Sequence, residues 1–215
     1  MAGASVFLKV PKERIGVVVG PDGVTKKYVE KNFSVEMQVD SSTGDIALTM
    51  KKDAQDPSLL FKAKDVVTAL GWGFSPEHAF RLIRDEDAIL DVIDLRNIFG
   101  KSESDIKRVK GRIIGLNGKT RRIVEELTDA NVAVYGHTVC ILGNIDQAQV
   151  AREAIQMLIN GSQHSSVYRF LHRKRRELKK KMLELWEKPP EEKTKGSLTR
   201  DGRNRSKIKR GKKRA

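Results

Sequence analysis

The sequence predicts an α+β protein in which a strand, helix, helix, strand, strand, helix unit occurs twice, each with a three-stranded antiparallel sheet packed on helices. A basic helix and a disordered basic tail complete the expected chain. Three observations carry the prediction. Shifting the sequence by 95 residues superimposes Gly16 on Gly111, Gly20 on Gly115, Gly23 on Gly118, Thr25 on Thr120, Val29 on Val124 and Glu30 on Glu125. Stretches of period-two alternation and stretches of helical period follow one another in the same order in both copies. Charge is segregated: the whole of the net +14 lies beyond residue 165.

In the first copy SVFLKVP alternates as a half-buried strand, and KERIGVVVG leads by a short helix into the turn GPDG. VTKKYVEKNF then places Val24, Tyr28 and Val29 on one helical face. SVEMQVD and DIALTM alternate as two strands joined by SSTG. Asp56-Pro57 is a helix-start signal, and that helix closes at Gly71. Between the copies a Gly-rich joint and Pro76 predict an extra helix at the junction. The second copy reads ILDVIDLRNI as strand, SESDIKRVKGRII as helix, GLNG as turn, KTRRIVEELTD as helix, NVAVYG and HTVCILG as strands, and IDQAQVAREAIQMLI as a long helix. The expected boundaries are 5–72, a junction helix at 73–87, 88–162, a basic helix at 163–188 and a disordered tail at 189–215.

Composition narrows the function. An apolar content of 39% supports two modest cores, and no apolar run approaches the roughly 20 residues of a membrane-spanning helix. With no apolar leader visible, a soluble, cytoplasmic protein is expected. Cys140 is the sole cysteine, so an intramolecular disulfide and a multi-cysteine zinc site are excluded; its apolar neighbours make it a core residue rather than a nucleophile. His164 and His172 are too few for a metal site, and Asp85, Glu86 and Asp87 read as a solvated helix end. Neither metal nor cofactor is expected. Residues 166–188 hold nine Lys/Arg against three Asp/Glu and residues 189–215 eleven against three, so the body is neutral and the extension suits a polyanion. A solubilising tail has the same composition.

The turn Gly115-Leu116-Asn117-Gly118 has three candidate readings. A P-loop needs a glycine five positions before Gly118, where Ile113 stands, and a strand rather than a helix before it. A plain helix linker does not explain a Gly-x-x-Gly that occurs twice, each time followed by Thr, a basic pair and two strands. The third reading is a KH domain, whose GXXG loop clamps a single-stranded RNA backbone. Glycine at both ends lets the sugar-phosphate approach closely, and the next helix offers free amides and the positive end of its dipole. Helix, loop, helix and two strands in that order make it the eukaryotic, type I arrangement. The two loops differ in fitness. Gly20-Pro21-Asp22-Gly23 lacks one amide and carries a carboxylate, leaving it a weaker binder or a protein-docking module. Gly115 to Gly118 is uncharged and flanked by Lys107, Arg108, Lys110, Arg112, Lys119, Arg121 and Arg122, opposed locally by Asp105.

RIIGLNGKTRRIVEELT, the junction ALGWGFSPEHAFRL and the segment GSQHSSVYRFLHRKRRE resemble the archaeal members of the pre-ribosomal KH-protein family whose eukaryotic counterpart is the partner of Nob. That resemblance implies two tandem type I KH domains in a non-enzymatic assembly factor of the small ribosomal subunit, binding ribosomal RNA near its 3′ end. It implies as partners a Nob-type maturation endonuclease, the pre-small-subunit particle and a translation initiation factor subunit, and a monomeric chain with no membrane association. The clamp carried over is Gly115, Leu116, Asn117 and Gly118, with Lys110, Arg112, Lys119, Arg121 and Arg122 beside it; Gly20, Pro21, Asp22 and Gly23 form a secondary, degenerate loop. The alternative function is a general KH-type regulator of mRNA turnover or translation. In the basic helix, Val167, Phe170, Leu171, Leu178, Met182, Leu185 and Trp186 are expected to pack on the second domain, while RKRRELKKK extends the RNA track.

Overall fold

A computed structural model describes residues 4–51 and 56–187. The side chains of Met182, Leu185 and Trp186 and the tail at 189–215 lie outside the described residues. Alternation in the first copy gives β1 (Ser5–Lys9), β2 (Val35–Val39) and β3 (Asp45–Met50), joined by α1 (Lys12–Val19), the 3₁₀ turn Pro21–Gly23 and α2 (Val24–Phe33), and followed by α3 (Ser58–Gly71). The strands form an antiparallel sheet of order β1-β3-β2, with Phe7 opposite Ala47 and Met37 opposite Leu48. The junction is two short turns, α4 (Pro76–Ala79) and α5 (Arg81–Arg84), broken at Phe80 rather than one continuous helix. β4 (Ala88–Asp94), α6 (Arg96–Phe99), α7 (Glu103–Ile114), the 3₁₀ turn Leu116–Gly118, α8 (Lys119–Thr128), β5 (Asn131–Tyr135), β6 (Thr138–Asn144) and α9 (Ile145–Ile159) follow, and their sheet again has the antiparallel order β4-β6-β5. The class is mixed α+β.

The two sheets are buried differently. In β3 only alternate residues, Ile46 and Leu48, are fully buried, and across the sheet Phe7 on the outer face is 79% exposed. In β6 six consecutive residues are buried. Val139 and Ile141 face α7, α8 and α9, whereas Cys140 and Leu142 join the first core with Phe74, Ala79 and Leu82. The second sheet is therefore covered on both faces, which is why Val139 to Leu142 are continuously apolar. Cys140 is a core residue, as expected, and burial pushes its thiol up to about 12.

Two details depart from the sequence expectation. The strand read through Ile98 stops at Asp94, whose carboxylate accepts the Arg96 N–H at 2.8 Å and starts α6. On α2 the buried residues are Thr25, Val29 and Phe33 at four-residue spacing, while Val24 is 62% exposed and Tyr28 stacks on Phe80 with ring centroids 4.5 Å apart. Helix α10 spans His164–Glu187, inside the 163–188 expected for the basic helix. It packs on α8 and α9 through Val167 and Leu171, with Phe170 and Leu178 partly buried, as the apolar spacing predicts. Among the described residues no helix is long and apolar enough to cross a membrane.

Both units use an arginine as a strut. Arg14 on α1 donates to the carbonyls of Leu70 (2.8 Å) and Phe74 (2.6 Å), tying down the end of α3. Arg112 on α7 does the same at the end of α9, donating to Leu158 (3.2 Å) and Ser162 (2.5 Å). Each cation meets one carbonyl in the last turn of a helix and one in the loop just beyond it, at the negative end of the helix dipole. The junction fastens to the second unit through Arg81, whose guanidinium donates to Asp129 O (3.2 Å) and to Gln147 Oε1 (3.0 Å), the same oxygen that accepts the Asn144 N–H at the start of α9.

Candidate nucleic-acid interface

The two glycine loops share one backbone. Gly20 has φ 73, ψ 170 and Gly115 φ 72, ψ 176, a region open essentially to glycine alone. Asp22 and Asn117 then adopt the left-handed conformation at φ 50 and φ 52, which Asp and Asn tolerate better than other residues. The first glycine of each loop is also fixed by contact. A Cβ at Gly115 would strike the Thr120 side chain and lie 2.8 Å from the Thr120 nitrogen; at Gly20 it would strike Thr25 and lie 2.9 Å from its nitrogen. Thr25 and Thr120 are buried against their loops, which accounts for the repeated Gly-to-Thr spacing.

Glu30 and Glu125 explain another part of the repeat. Glu125 Oε1 accepts the Val132 N–H at 2.8 Å and Glu30 Oε1 accepts the Met37 N–H at 2.9 Å. In both units a helix carboxylate thus satisfies an amide on the edge strand next to it.

Around Gly115 to Gly118 the predicted cations are not one cluster. Leu116 projects into solvent at 84% exposure. On one side of the loop a hollow of about 370 Å³ is lined by Leu116, Asn117, Lys119, Arg122, Ile123 and Glu126; on the other a hollow of about 410 Å³ lies against α10. Lys119 lines both. Arg122 Nη2 donates to Asn117 O at 2.8 Å and braces the loop. Arg108 pairs with Asp105 at 3.1 Å, and the Ser102 hydroxyl followed by Arg108 holds that carboxyl below the ordinary carboxylate range. Arg121 pairs with Glu125 at 3.8 Å and faces β5 and the junction. Lys107 and Lys110 lie on the opposite side of α7, around another hollow. Arg112 lines the hollow beside α10, and its Nε and Nη2 are engaged as the strut on the carbonyls of Leu158 and Ser162, which leaves its other donors towards the hollow.

Helix α10 also braces the loop, through residues that the sequence reading left unassigned. Tyr168 hydroxyl and Thr120 Oγ1 are 3.1 Å apart, and His164 Nε2 is 3.0 Å from Arg112 O. Both contacts reach the residues flanking the glycines. The available signal was Thr120 itself, which repeats Thr25 at the same distance from its glycine.

In the first loop Pro21 has no N–H where Leu116 has one, and Asp22 sets a carboxylate in the place of the Asn117 amide. Lys27 Nζ lies 3.5 Å from Asp22 O, a longer counterpart of the Arg122 brace.

Residues 89–176 match a family model for a eukaryotic-type KH domain (type I), the second of the PNO1 proteins. A KH domain-containing protein of Methanocaldococcus jannaschii is 44% identical over 182 residues, covering 85% of this chain and 79% of its own. The chain belongs to the PNO1/Dim2 family of KH-domain proteins. RNA-binding protein PNO1 of Oryzias latipes is 30% identical over 140 residues, 65% of this chain and 58% of that protein, so the chain spans little more than half of that eukaryotic member. The solved complex of a/eIF2alpha, aDim2p and rRNA from Pyrococcus horikoshii contains a chain 45% identical to this one, with a TM-score of 0.75 over 81% of this chain and 95% of that one. The family membership covers the KH unit in which the Gly115 loop lies.

Proposed function

We propose that this chain binds single-stranded RNA in the 3′ region of small-subunit ribosomal RNA during ribosome assembly and rRNA maturation, without catalysing a reaction itself. The reading takes residues 5–72 and 88–162 as tandem type I KH domains, joined at 73–87 and followed by the basic helix from 163. Gly115, Leu116, Asn117 and Gly118 are the clamp, with Lys119 as its free cation and Arg122 as its brace. The observation that carries this is the exposed, glycine-bounded and uncharged loop in a chain whose Pyrococcus relative was solved with rRNA. In it the backbone amide of Leu116 and the start of α8 face a phosphate that no acidic side chain of the loop repels.

The same relative supports a translation initiation factor subunit as a partner. A Nob-type endonuclease, the pre-small-subunit particle, a monomeric chain and a cytoplasmic site of action complete the proposal. The test is sedimentation of the tagged protein from cells with RNA sequencing of what it crosslinks. Co-sedimentation with small-subunit precursors and crosslinks near the rRNA 3′ end are expected. Crosslinks spread over messenger RNAs, with none in precursor particles, would replace this reading by that of a general mRNA regulator.

A further inference from the structure

The segment joining β4 to α7, residues 95–102, has no counterpart in the first unit, where only Val10 and Pro11 separate β1 from α1. With the outer side of α7 and the β5–β6 turn it borders an open hollow of about 800 Å³. Arg96 and Lys101 come from the segment, Lys107 and Lys110 from α7 and His137 from the turn; Glu103 is the one acidic residue in the lining. Among the described residues, the side chains of Arg96, Lys101, Lys107 and Lys110 have neither an ion pair nor a hydrogen bond. Around the GXXG loop Arg108, Arg112, Arg121 and Arg122 are engaged by protein groups, and among the described residues Lys119 is the cation there without an ion pair or hydrogen bond. Four unpaired like charges around one hollow repel one another and create a positive potential that an anion relieves.

The position selects the anion. Lys110 and Lys107 lie five and eight residues before Gly115 on the helix that ends in the clamp, about 8 and 12 Å along its axis. A strand held at Leu116 and Asn117 that follows α7 backwards meets these lysines next, then Lys101 and Arg96.

We propose that this hollow receives the sugar-phosphate backbone of the same RNA strand, beyond the roughly four nucleotides that a GXXG loop clamps. Residues 95–102 thereby lengthen the footprint of the second unit. The inference rests on the RNA-binding reading above and names a second subsite within it.

Arg96 and Lys101 are both exposed, so the double variant Arg96→Gln/Lys101→Gln in the full chain should keep its circular dichroism. The probes are single-stranded RNAs of about four and about twelve nucleotides ending in the small-subunit rRNA 3′ sequence, titrated over a salt series. The variant is expected to lose roughly twentyfold in affinity for the longer RNA at about 0.1 M salt and to flatten its log–log salt slope by about 1.4, as for two lost phosphate contacts, with no change on the short one. Wild-type affinity and slope on the longer RNA, or equal losses on both RNAs, would overturn the subsite. Loss of polyglutamate binding with the longer RNA unaffected would assign the hollow to an acidic protein segment and also overturn it. A wild-type protein that binds neither RNA rejects the RNA-binding reading itself.

Discussion

The loops at Gly20 and Gly115 have the same dihedral angles, the same glycine-on-threonine contact and the same helix carboxylate on the neighbouring strand, yet differ at the two residues they present to solvent. The scaffold therefore fixes where a phosphate could sit, and the side chains at two positions decide whether one is welcome. Pro21 and Asp22 subtract a donor and add a negative charge; Leu116 and Asn117 do neither. The second loop is also braced from outside by Tyr168 and His164 of α10, a helix that follows the second unit, whereas α3 of the first unit leads into the junction turns.

The comparison breaks most directly at the loop itself. Replacing Leu116 and Asn117 by Asp puts two carboxylates where the phosphates pass, and RNA affinity should fall about a hundredfold or more with circular dichroism unchanged; unchanged affinity would remove the clamp assignment. A smaller loss, roughly 10- to 150-fold in the folding equilibrium, is expected for Arg112→Gln. Two charge-assisted bonds to carbonyls disappear, costing about 1.5–3 kcal/mol in urea unfolding. Arg14→Gln should cost a similar amount, because its strut is built in the same way. If instead Arg112→Gln left stability unchanged and weakened only RNA binding, Arg112 would return to the clamp.

The reverse exchange sharpens the contrast. Pro21→Leu with Asp22→Asn should raise affinity about threefold, since it restores one amide and removes one charge but supplies neither α10 nor Lys119; a loss of affinity would mean that the first loop binds through its native side chains. The smallest expected signal is at Cys140. Its thiol is raised to about 12 from an ordinary 9 by burial first and then by Asp91, so at pH 8 the folded protein should resist iodoacetamide while the urea-unfolded chain reacts. Because the folded state holds that proton more tightly, its contribution to stability is complete below about pH 9 and declines as pH rises towards 12. Rapid alkylation of the native protein would show that the covered face of the second sheet opens readily.

Much of this was legible in the sequence because it depends on local rules. Period-two alternation located β1, β2 and β3, and the 95-residue repeat located both loops and the helices around them. Long-range partners were not legible. Nothing in the spacing of Arg112 separates a phosphate ligand from a strut, since its carbonyl partners lie 46 and 50 residues away. The two struts also escaped the repeat: Arg14 precedes its loop glycine by six residues and Arg112 by three, about one helical turn apart. Val24 and Tyr28 were misplaced because a helical face was inferred from apolar residues alone, while the buried face of α2 includes a threonine. The run TVCILG did carry the signal of a strand covered on both faces, but the identity of the cover, Phe74, Ala79 and Leu82, came only with the fold.

The central claim is that one of two equivalent loops holds the RNA. Crosslinking the full-length protein to a single-stranded oligonucleotide of the small-subunit rRNA 3′ end, followed by mass-spectrometric mapping of the crosslinked peptides, tests it directly. The account predicts crosslinks in peptides carrying Leu116, Asn117 and Lys119, with those carrying Pro21 and Asp22 far weaker. Equal or stronger crosslinking at Pro21 and Asp22 would contradict it.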